Sequence, residues 1–165
     1  MAIGVYGGAV RDLVLRMKQS RHESLSLAAG TLLSQRVEQV LLHSLPDVVA
    51  PVPMHWMRRL TRGVNAAELV AESVAKRLHR PLYVDLLRCR RKTRKQGTLL
   101  PHERRKNVRG AYAVFRHAPL RGAHVLLVDD VMTTGATANE LAKIMMRSGA
   151  REISMAVIAR GIGFD

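Results

Sequence analysis

A chain of 165 residues is long enough to bury one substantial core and too short for two ordinary domains, so a single domain over 1–165 is expected. Hydrophobic residues make up 47% and aromatic residues only 4%, which leaves the core to Leu, Val, Ala and Met and argues against an aromatic platform for stacking single-stranded bases. The formal net charge of +14 attracts polyanions, whether pyrophosphate esters, nucleotides or nucleic acid, and the lone Cys89 excludes an internal disulfide framework and a cysteine-rich zinc site.

In the first quarter Val10, Leu13, Val14 and Met17 recur at helical spacing, and Leu25 to Leu42 carries a second helical pattern through Leu32, Leu33, Val37, Val40 and Leu41. Val48 to Val52 then reads as a short buried strand whose end is bracketed by Pro51 and Pro53, where a proline cannot continue the ladder. The loop after it, Met54 to Gly63, concentrates positive charge in Arg58, Arg59 and Arg62. Asn65 with Glu68 three residues on is an N-cap signature, and Ala66, Leu69, Val70, Val74 and Leu78 give the following helix an apolar face. Leu82 to Leu87 is expected to be the next strand.

Arg88 to Arg109 differs from its surroundings: it holds ten Lys or Arg residues against one acidic residue, Glu103, with Gly97 and Pro101 inside it. Self-repulsion and breakers predict a mobile loop there when no anion is present, a solvated basic surface loop being the lesser alternative. Ala111 to Phe115 reads as a strand, and Ile153 to Ala159 as the last one. No apolar run is long enough to cross a bilayer, and no charged segment followed by a continuous apolar run opens the chain, so neither a membrane span nor a signal peptide is expected and the location expected is cytoplasmic.

The most specific stretch is His124 to Thr137, an apolar strand ending in Asp129 and Asp130, followed by the small-residue turn Met132-Thr133-Thr134-Gly135-Ala136-Thr137. From Asn139 the apolar residues Leu141, Ile144 and Met145 share a helical face, and Gly149 stands where that helix would be capped. The turn therefore lies at a helix N-terminus. There the backbone N–H groups lack partners, the dipole contributes roughly half a positive charge, and Gly135 lets an anion approach the main chain. An Asp-Asp pair can merely end a strand. At the head of a phosphate cradle with three threonine hydroxyls, it asks for a ligand that also carries hydroxyls or a metal ion, as a phosphorylated sugar does. Helices alternating with buried strands predict a mainly parallel α/β sheet with its ligand at the carboxyl ends of the strands. Three loops, Pro53 to Arg62, Arg88 to Arg109 and Asp129 to Thr137, are expected to meet at that edge.

At these residues the chain resembles the type I phosphoribosyltransferases, whose signature is a hydrophobic strand, two acidic residues and a Thr-Thr-Gly-x-Thr loop. The resemblance extends to the ComF and GntX group through Tyr6 with Arg11, Leu13 and Lys18, Val52-Pro53-Met54-His55, Arg62-Gly63-x-Asn65, Arg94 to Gln96, Glu103-Arg104 with Asn107-Val108, and Gly110-Ala111-Tyr112. Members of this group commonly begin with a cysteine-rich zinc module, which this sequence lacks, and Tyr112 stands where the group often has Phe. The resemblance implies the type I phosphoribosyltransferase fold, a mainly parallel sheet flanked by helices, with a small N-terminal helical hood over 1–45 and the core over 46–165. It implies that Asp129 and Asp130 hold the ribose hydroxyls of phosphoribosyl pyrophosphate and that Met132, Thr133, Thr134, Gly135, Ala136 and Thr137 bind its 5-phosphate.

By the same resemblance Pro53, Met54 and His55 form the pyrophosphate loop, with Arg58 and Arg62 adding charge, although His55 reads equally well as a plain loop residue. Lys92, Thr93, Lys95 and Gln96 belong to the flexible loop that closes over substrates. Mg²⁺ is expected on the ligand's own oxygens, with Asp129 and Asp130 acting indirectly and no direct protein ligand. The implied activity is transfer of the phosphoribosyl group with release of pyrophosphate, a glycosyltransferase reaction. No general base stands out and the acceptor is not legible. Two other readings stay open: a basic factor associated with single-stranded DNA and the DNA-uptake machinery, as relatives of the group are linked to natural competence, and a sensor that binds phosphoribosyl pyrophosphate without turnover. A homodimer is compatible with the superfamily.

Overall fold

The structure is a computed structural model that describes residues 1–54, 65–94, 99–115, 118 and 120–161. Its strands are β1 (Ala2–Val5), β2 (Val48–Pro51), β3 (Leu87–Cys89), β4 (Tyr112–Val114), β5 (His124–Met132) and β6 (Glu152–Arg160). Its α-helices are α1 (Gly8–Met17), α2 (Glu23–Val40), α3 (Ala66–Leu78), α4 (Pro101–Val108) and α5 (Ala136–Arg147), with a 3₁₀ turn at Ser20–His22.

The main sheet runs β1-β6-β5-β2 with every neighbouring pair parallel, so all four strands present their carboxyl ends at one edge. Its centre is β5, whose first five residues are all buried because helices cover both faces. Leu126 and Val128 join Val49, Ala156 and Ile158 in a core sealed by Val14 and Met17 of α1, Leu33 and Val37 of α2, and Val70 and Val74 of α3. Val125 and Leu127 point the other way, to Leu141 and Met145 of α5 and to Leu86 and Leu120. The alternation along one strand thus assigns successive residues to two separate cores.

The amino-terminal edge of the sheet is tied by Asp47. Its carboxylate accepts the His124 backbone N–H at 2.8 Å and an Arg151 guanidinium N–H at 3.2 Å. These two hydrogen bonds hold the Asp47 carboxyl below the usual carboxylate range. On the opposite layer α2 and α3 pack closely where Gly30 faces Ser73 and Val70. A Cβ built at Gly30 would stand 2.7 Å from Ser73 Cβ. The expected cap of α3 is present: Asn65 Oδ1 accepts the Ala67 N–H at 3.3 Å, and its amide donates to Glu68 Oε1 at 3.2 Å.

Four features differ from the sequence expectation. A strand, β1, precedes the two N-terminal helices and pairs with β6; its four residues include Gly4 and lie on the sheet edge, which gives no alternation long enough to read. Within Leu82 to Leu87 only Leu82 bridges the main sheet, to Val49. The chain then turns at Tyr83 and Leu86, and Leu87–Cys89 pairs antiparallel with β4 in a separate ribbon. The strand of the acidic pair does not stop at Asp130 but runs to Met132, because β6 is long enough to pair with Val131 and Met132. Finally, the basic segment expected to be a loop contains α4. Pro101, taken as a breaker, occupies the first helical turn, where its missing N–H costs nothing, and Glu103 turns back to accept the Leu100 N–H at 3.0 Å.

Candidate functional site

Parallel register brings the site together. The Val52 N–H donates to the Val128 carbonyl at 2.8 Å, so the chain leaves β2 through half-buried Pro53 and Met54 directly beside Asp129 and Asp130. On the other flank the Gly161 N–H donates to the Met132 carbonyl at 2.8 Å, and the Tyr6 N–H to the Arg160 carbonyl at 2.8 Å. A Cβ at Gly161 would stand 2.9 Å from Thr133 Cγ2, so glycine there lets the end of β6 lie against the loop after β5.

Asp129 and Asp130 are both half-buried, and their environments differ. The Asp130 backbone N–H donates to Asp129 Oδ1 at 2.8 Å. Withdrawal from water, followed by the negative charge of Asp130, pushes the Asp129 carboxyl well above the usual carboxylate range, with the Asp130 N–H and the Lys18 charge opposing. Asp130 instead makes an ion pair: Lys18 Nζ, at the C-cap of α1, lies 2.9 Å from Asp130 Oδ2, with both side chains more than two-thirds buried. Among the described residues the two carboxylates have one ion-paired cation between them, and burial drives Asp129 toward its neutral form.

The loop after them turns through Gly135, which is the N-cap of α5 and has φ 70°, a left-handed conformation that a side chain would strain. Its carbonyl accepts the Asn139 N–H at 2.8 Å, which starts the helix directly behind the loop. Thr133 and Thr134 are exposed, Ala136 is buried and Thr137 half-buried. α4 reaches this loop from the side. Arg104 Nη1 donates to Thr133 Oγ1 at 3.0 Å while its Nε donates to the Leu99 carbonyl at 3.0 Å, so the guanidinium is fixed at two points.

The segment before α4 is also pinned. Asn107 Oδ1 accepts the Arg94 N–H and its amide donates to the Arg94 carbonyl, both at 3.0 Å, and Arg91 Nη2 donates to the carbonyls of Asn107 at 3.0 Å and Arg109 at 2.9 Å. Lys92 stands exposed on this segment and Thr93 is buried. The loop after β5 and the segment carrying α4 therefore meet, as expected. Of the other residues singled out in sequence, Pro53 and Met54 flank the acidic pair, while His55, Arg58, Arg62, Lys95 and Gln96 lie outside the described residues. Lys18 and Arg104 received no role from sequence: each stood only in the pattern of the resemblance, and what places them is tertiary packing of α1 and α4 against the edge.

This arrangement, two carboxylates and a helix N-terminal loop at the carboxyl edge of a parallel sheet, defines the class of phosphoribosyl-transfer folds. Residues 60–163 match the model of the phosphoribosyl transferase domain. The DNA utilization protein YhgH of Salmonella typhi is 30% identical over 163 residues, a match covering 97% of this chain and 71% of that protein. Competence protein F of Haemophilus influenzae is 34% identical over 119 residues, covering 70% of this chain and 51% of that one. Among solved structures, the glutamine phosphoribosylpyrophosphate amidotransferase of B. subtilis complexed with ADP and GMP superposes with a TM-score of 0.55 at 20% identity, over 82% of this chain and 26% of that one. The chain belongs to the ComF-like type I phosphoribosyltransferase family.

Proposed function

We propose that the protein binds phosphoribosyl pyrophosphate together with Mg²⁺ at the carboxyl edge of β5 and transfers the phosphoribosyl group to an acceptor with release of pyrophosphate. The observation that carries this reading is the sequence of chemistries along one stretch: carboxylates at Asp129 and Asp130, then the glycine-turned loop at the start of α5 with Arg104 hydrogen-bonded to Thr133. Ribose hydroxyls donate to the carboxylates, while the loop N–H groups, the Thr133 and Thr134 hydroxyls and the Arg104 guanidinium donate to the 5-phosphate. Holding both ends of the sugar fixes the anomeric carbon relative to the leaving group, and this positioning lowers the barrier to displacement.

Mg²⁺ would sit on the ligand's own oxygens with water completing its shell, and Asp129 and Asp130, as hard oxygen acceptors, would act on it indirectly through ribose hydroxyls or water. Bound there with the substrate, Mg²⁺ would supply charge neutralisation for the pyrophosphate leaving group. Pro53 and Met54, entering beside the acidic pair, are the described start of the loop that would face that group.

The test is calorimetric titration of phosphoribosyl pyrophosphate, with and without Mg²⁺, into the protein and its Asp129→Asn/Asp130→Asn variant, with pyrophosphate release followed alongside. The proposal expects saturable, Mg²⁺-dependent binding that the variant loses. No binding by the unaltered protein would overturn it. Binding without pyrophosphate release in the presence of candidate acceptors would favour a sensor.

A further inference from the structure

Beside this site, between α4 and α5, lies a cleft of about 360 Å³ that combines charge with an apolar lining. Four exposed cations stand on its two walls: Arg105 and Arg109 of α4, Lys143 and Arg147 of α5. Between them the lining is apolar, from half-buried Ile144, the edges of buried Val108 and Ala136, and the methylene stems of the four cations. Among the described residues none of the four is ion-paired with a carboxylate. Glu140, the acidic residue of the cleft, has its Oε1 engaged by the Gly110 backbone N–H at 2.7 Å, a contact that ties the end of α4 to α5.

Folding alone does not account for this arrangement. Arg105 and Arg147 complement the dipoles of their helices from the last turn, but Lys143 lies a turn further back and Arg109 stands at the C-cap of α4. On each helix the two cations are four residues apart, a spacing at which like charges repel. An occupant that brings anions to both walls relieves that repulsion. The apolar lining restricts what the occupant can be, because a bare anion leaves Ile144 and the cation stems in water, whereas an anion with an apolar group covers them. The arrangement of charge restricts it further. A fatty acid brings a single carboxylate and a nucleotide gathers its charge at one end, but four separated cations around one apolar patch match several carboxylates around one apolar side chain.

We propose that the α4–α5 cleft docks an acidic segment of a partner protein, with an apolar side chain of that segment seated against Ile144 and its carboxylates on the two cationic walls. Acidic side chains one turn apart on a docked helix are separated by about 6 Å, as are Arg105 from Arg109 and Lys143 from Arg147, so a partner helix lying along the groove meets both walls in register. The net charge of +14 steers an acidic partner toward the chain, and the apolar seat gives the docked segment its specificity. The volume suits this division, since it lies near the lower end of the roughly 300–1,000 Å³ of ligand pockets and takes an anchoring side chain rather than a folded surface. α5 starts at the loop after β5 and α4 carries Arg104 to Thr133, so the docked segment lies against the two helices that frame the candidate site. The inference stands on the cleft and does not depend on phosphoribosyl pyrophosphate binding.

The experiment is fluorescence anisotropy, against the full chain, of a labelled synthetic peptide, Asp-Glu-Glu-Leu-Phe-Glu-Glu-Asp, and of a counterpart of equal charge with Ser-Ser in place of Leu-Phe. The variants are Lys143→Gln/Arg147→Gln, Arg105→Gln/Arg109→Gln and a charge-matched control, Arg16→Gln/Arg36→Gln, on α1 and α2 of the opposite layer. Circular dichroism melts verify that each folds. The Leu-Phe peptide should bind the parent saturably, and each cleft variant should bind it about tenfold more weakly, the loss expected from two partly exposed ion pairs. The control should stay close to the parent. The Ser-Ser peptide should bind the parent at least about tenfold more weakly, since it has nothing to seat against Ile144. Added salt should narrow the gap between parent and cleft variants and leave the gap between the two peptides. Absence of saturable binding, equal losses in cleft and control variants, or equal affinity for the two peptides would overturn the proposal. Tighter binding of an oligothymidylate than of the Leu-Phe peptide, with the same loss in the cleft variants, would also overturn it and give the cleft to a phosphate backbone.

Discussion

Lys18 Nζ stands 2.9 Å from Asp130 Oδ2 and joins the end of the first helix to the end of the central strand, residues 112 positions apart. Among the described residues Lys18 is the cation ion-paired with the acidic pair, and its charge also acts on the neighbouring Asp129. Replacing Lys18 with Met keeps the bulk of the stem and removes the charge. The pair is partly buried, between the exposed ion pairs worth under about 1 kcal/mol and the fully buried ones costing about 3–5 when broken. A loss of about 1–2 kcal/mol in unfolding free energy is therefore expected, shrinking as salt screens the remaining repulsion. If the proposed function holds, the same variant binds phosphoribosyl pyrophosphate about tenfold more weakly, since an uncompensated carboxylate repels a polyanion. Denaturant titrations at two salt concentrations, with calorimetry, check both.

The neighbouring Asp129 makes a prediction of opposite sign. Burial and the Asp130 charge raise its carboxyl well above the usual range in the folded protein, whereas in the unfolded chain it ionises near about 3.9. Between those values the folded state holds the extra proton, so this group erodes stability as pH rises from about 4 through its folded pKa. Asp129→Asn removes the erosion and keeps an oxygen to accept the Asp130 N–H. The variant should melt higher than the parent at neutral and mildly alkaline pH, and the two should converge below about pH 4. A variant that melts lower at every pH would show that the ionised form is stabilised. If the proposed function holds, the gain in stability should come with loss of phosphoribosyl pyrophosphate binding, as expected of a group held in an unfavourable state at a ligand site.

The contact of α2 with α3 depends on Gly30. Alanine would improve helix propensity by at most about 1 kcal/mol, but its methyl would be built 2.7 Å from Ser73 Cβ and 3.1 Å from Val70 Cα. The second distance is to backbone, which cannot swing aside, so the helices must separate, and overpacking of this kind costs about 1–3 kcal/mol. Gly30→Ala should lower the melting temperature. Gly30→Ala with Ser73→Gly, which clears the nearer clash, should recover part of the loss. An undiminished melting temperature in the single variant would mean that the two helices have slack at this crossing.

What could be read from the sequence follows where its signals were local. The run His124 to Thr137 announced a strand, a turn and a helix start in consecutive residues, and the structure has β5, the Gly135 turn and α5 in that order. Asn65 with Glu68 announced α3 through a cap that needs only three residues. β1 was not legible because an edge strand of four residues with a glycine carries no period, and its partner β6 lies more than 140 residues away. α4 was hidden for another reason: its residues Pro-His-Glu-Arg-Arg-Lys-Asn-Val are mostly polar and show no apolar stripe, and it is held by Glu103, by Arg104 and by Asn107 rather than by an apolar face. Lys18 and Arg104 illustrate the same limit at the site. Each reaches the edge through a fold-level placement that sequence spacing does not encode.

Arg104 gives the sharpest test of whether α4 belongs to the proposed phosphate site. Its guanidinium donates in two directions, to the Leu99 carbonyl at 3.0 Å and to Thr133 Oγ1 at 3.0 Å. Lysine cannot reproduce this fork, because a single ammonium on a flexible stem lacks the planar geometry that serves both acceptors. A charge-assisted hydrogen bond to a phosphate is worth about 1.5–3 kcal/mol, so Arg104→Ala should weaken phosphoribosyl pyrophosphate binding about 10- to 100-fold. Arg104→Lys should recover only part of that loss, and because Arg104 also helps hold α4 through the Leu99 carbonyl, Arg104→Ala should lower the melting temperature slightly, so binding is compared on folded protein. The comparison with ribose 5-phosphate isolates the contact: if Arg104 acts on the 5-phosphate, both ligands lose the same factor, since both carry that group. A loss confined to phosphoribosyl pyrophosphate would move Arg104 to the pyrophosphate end, and no loss with either ligand would leave its bond to Thr133 as a brace for the loop.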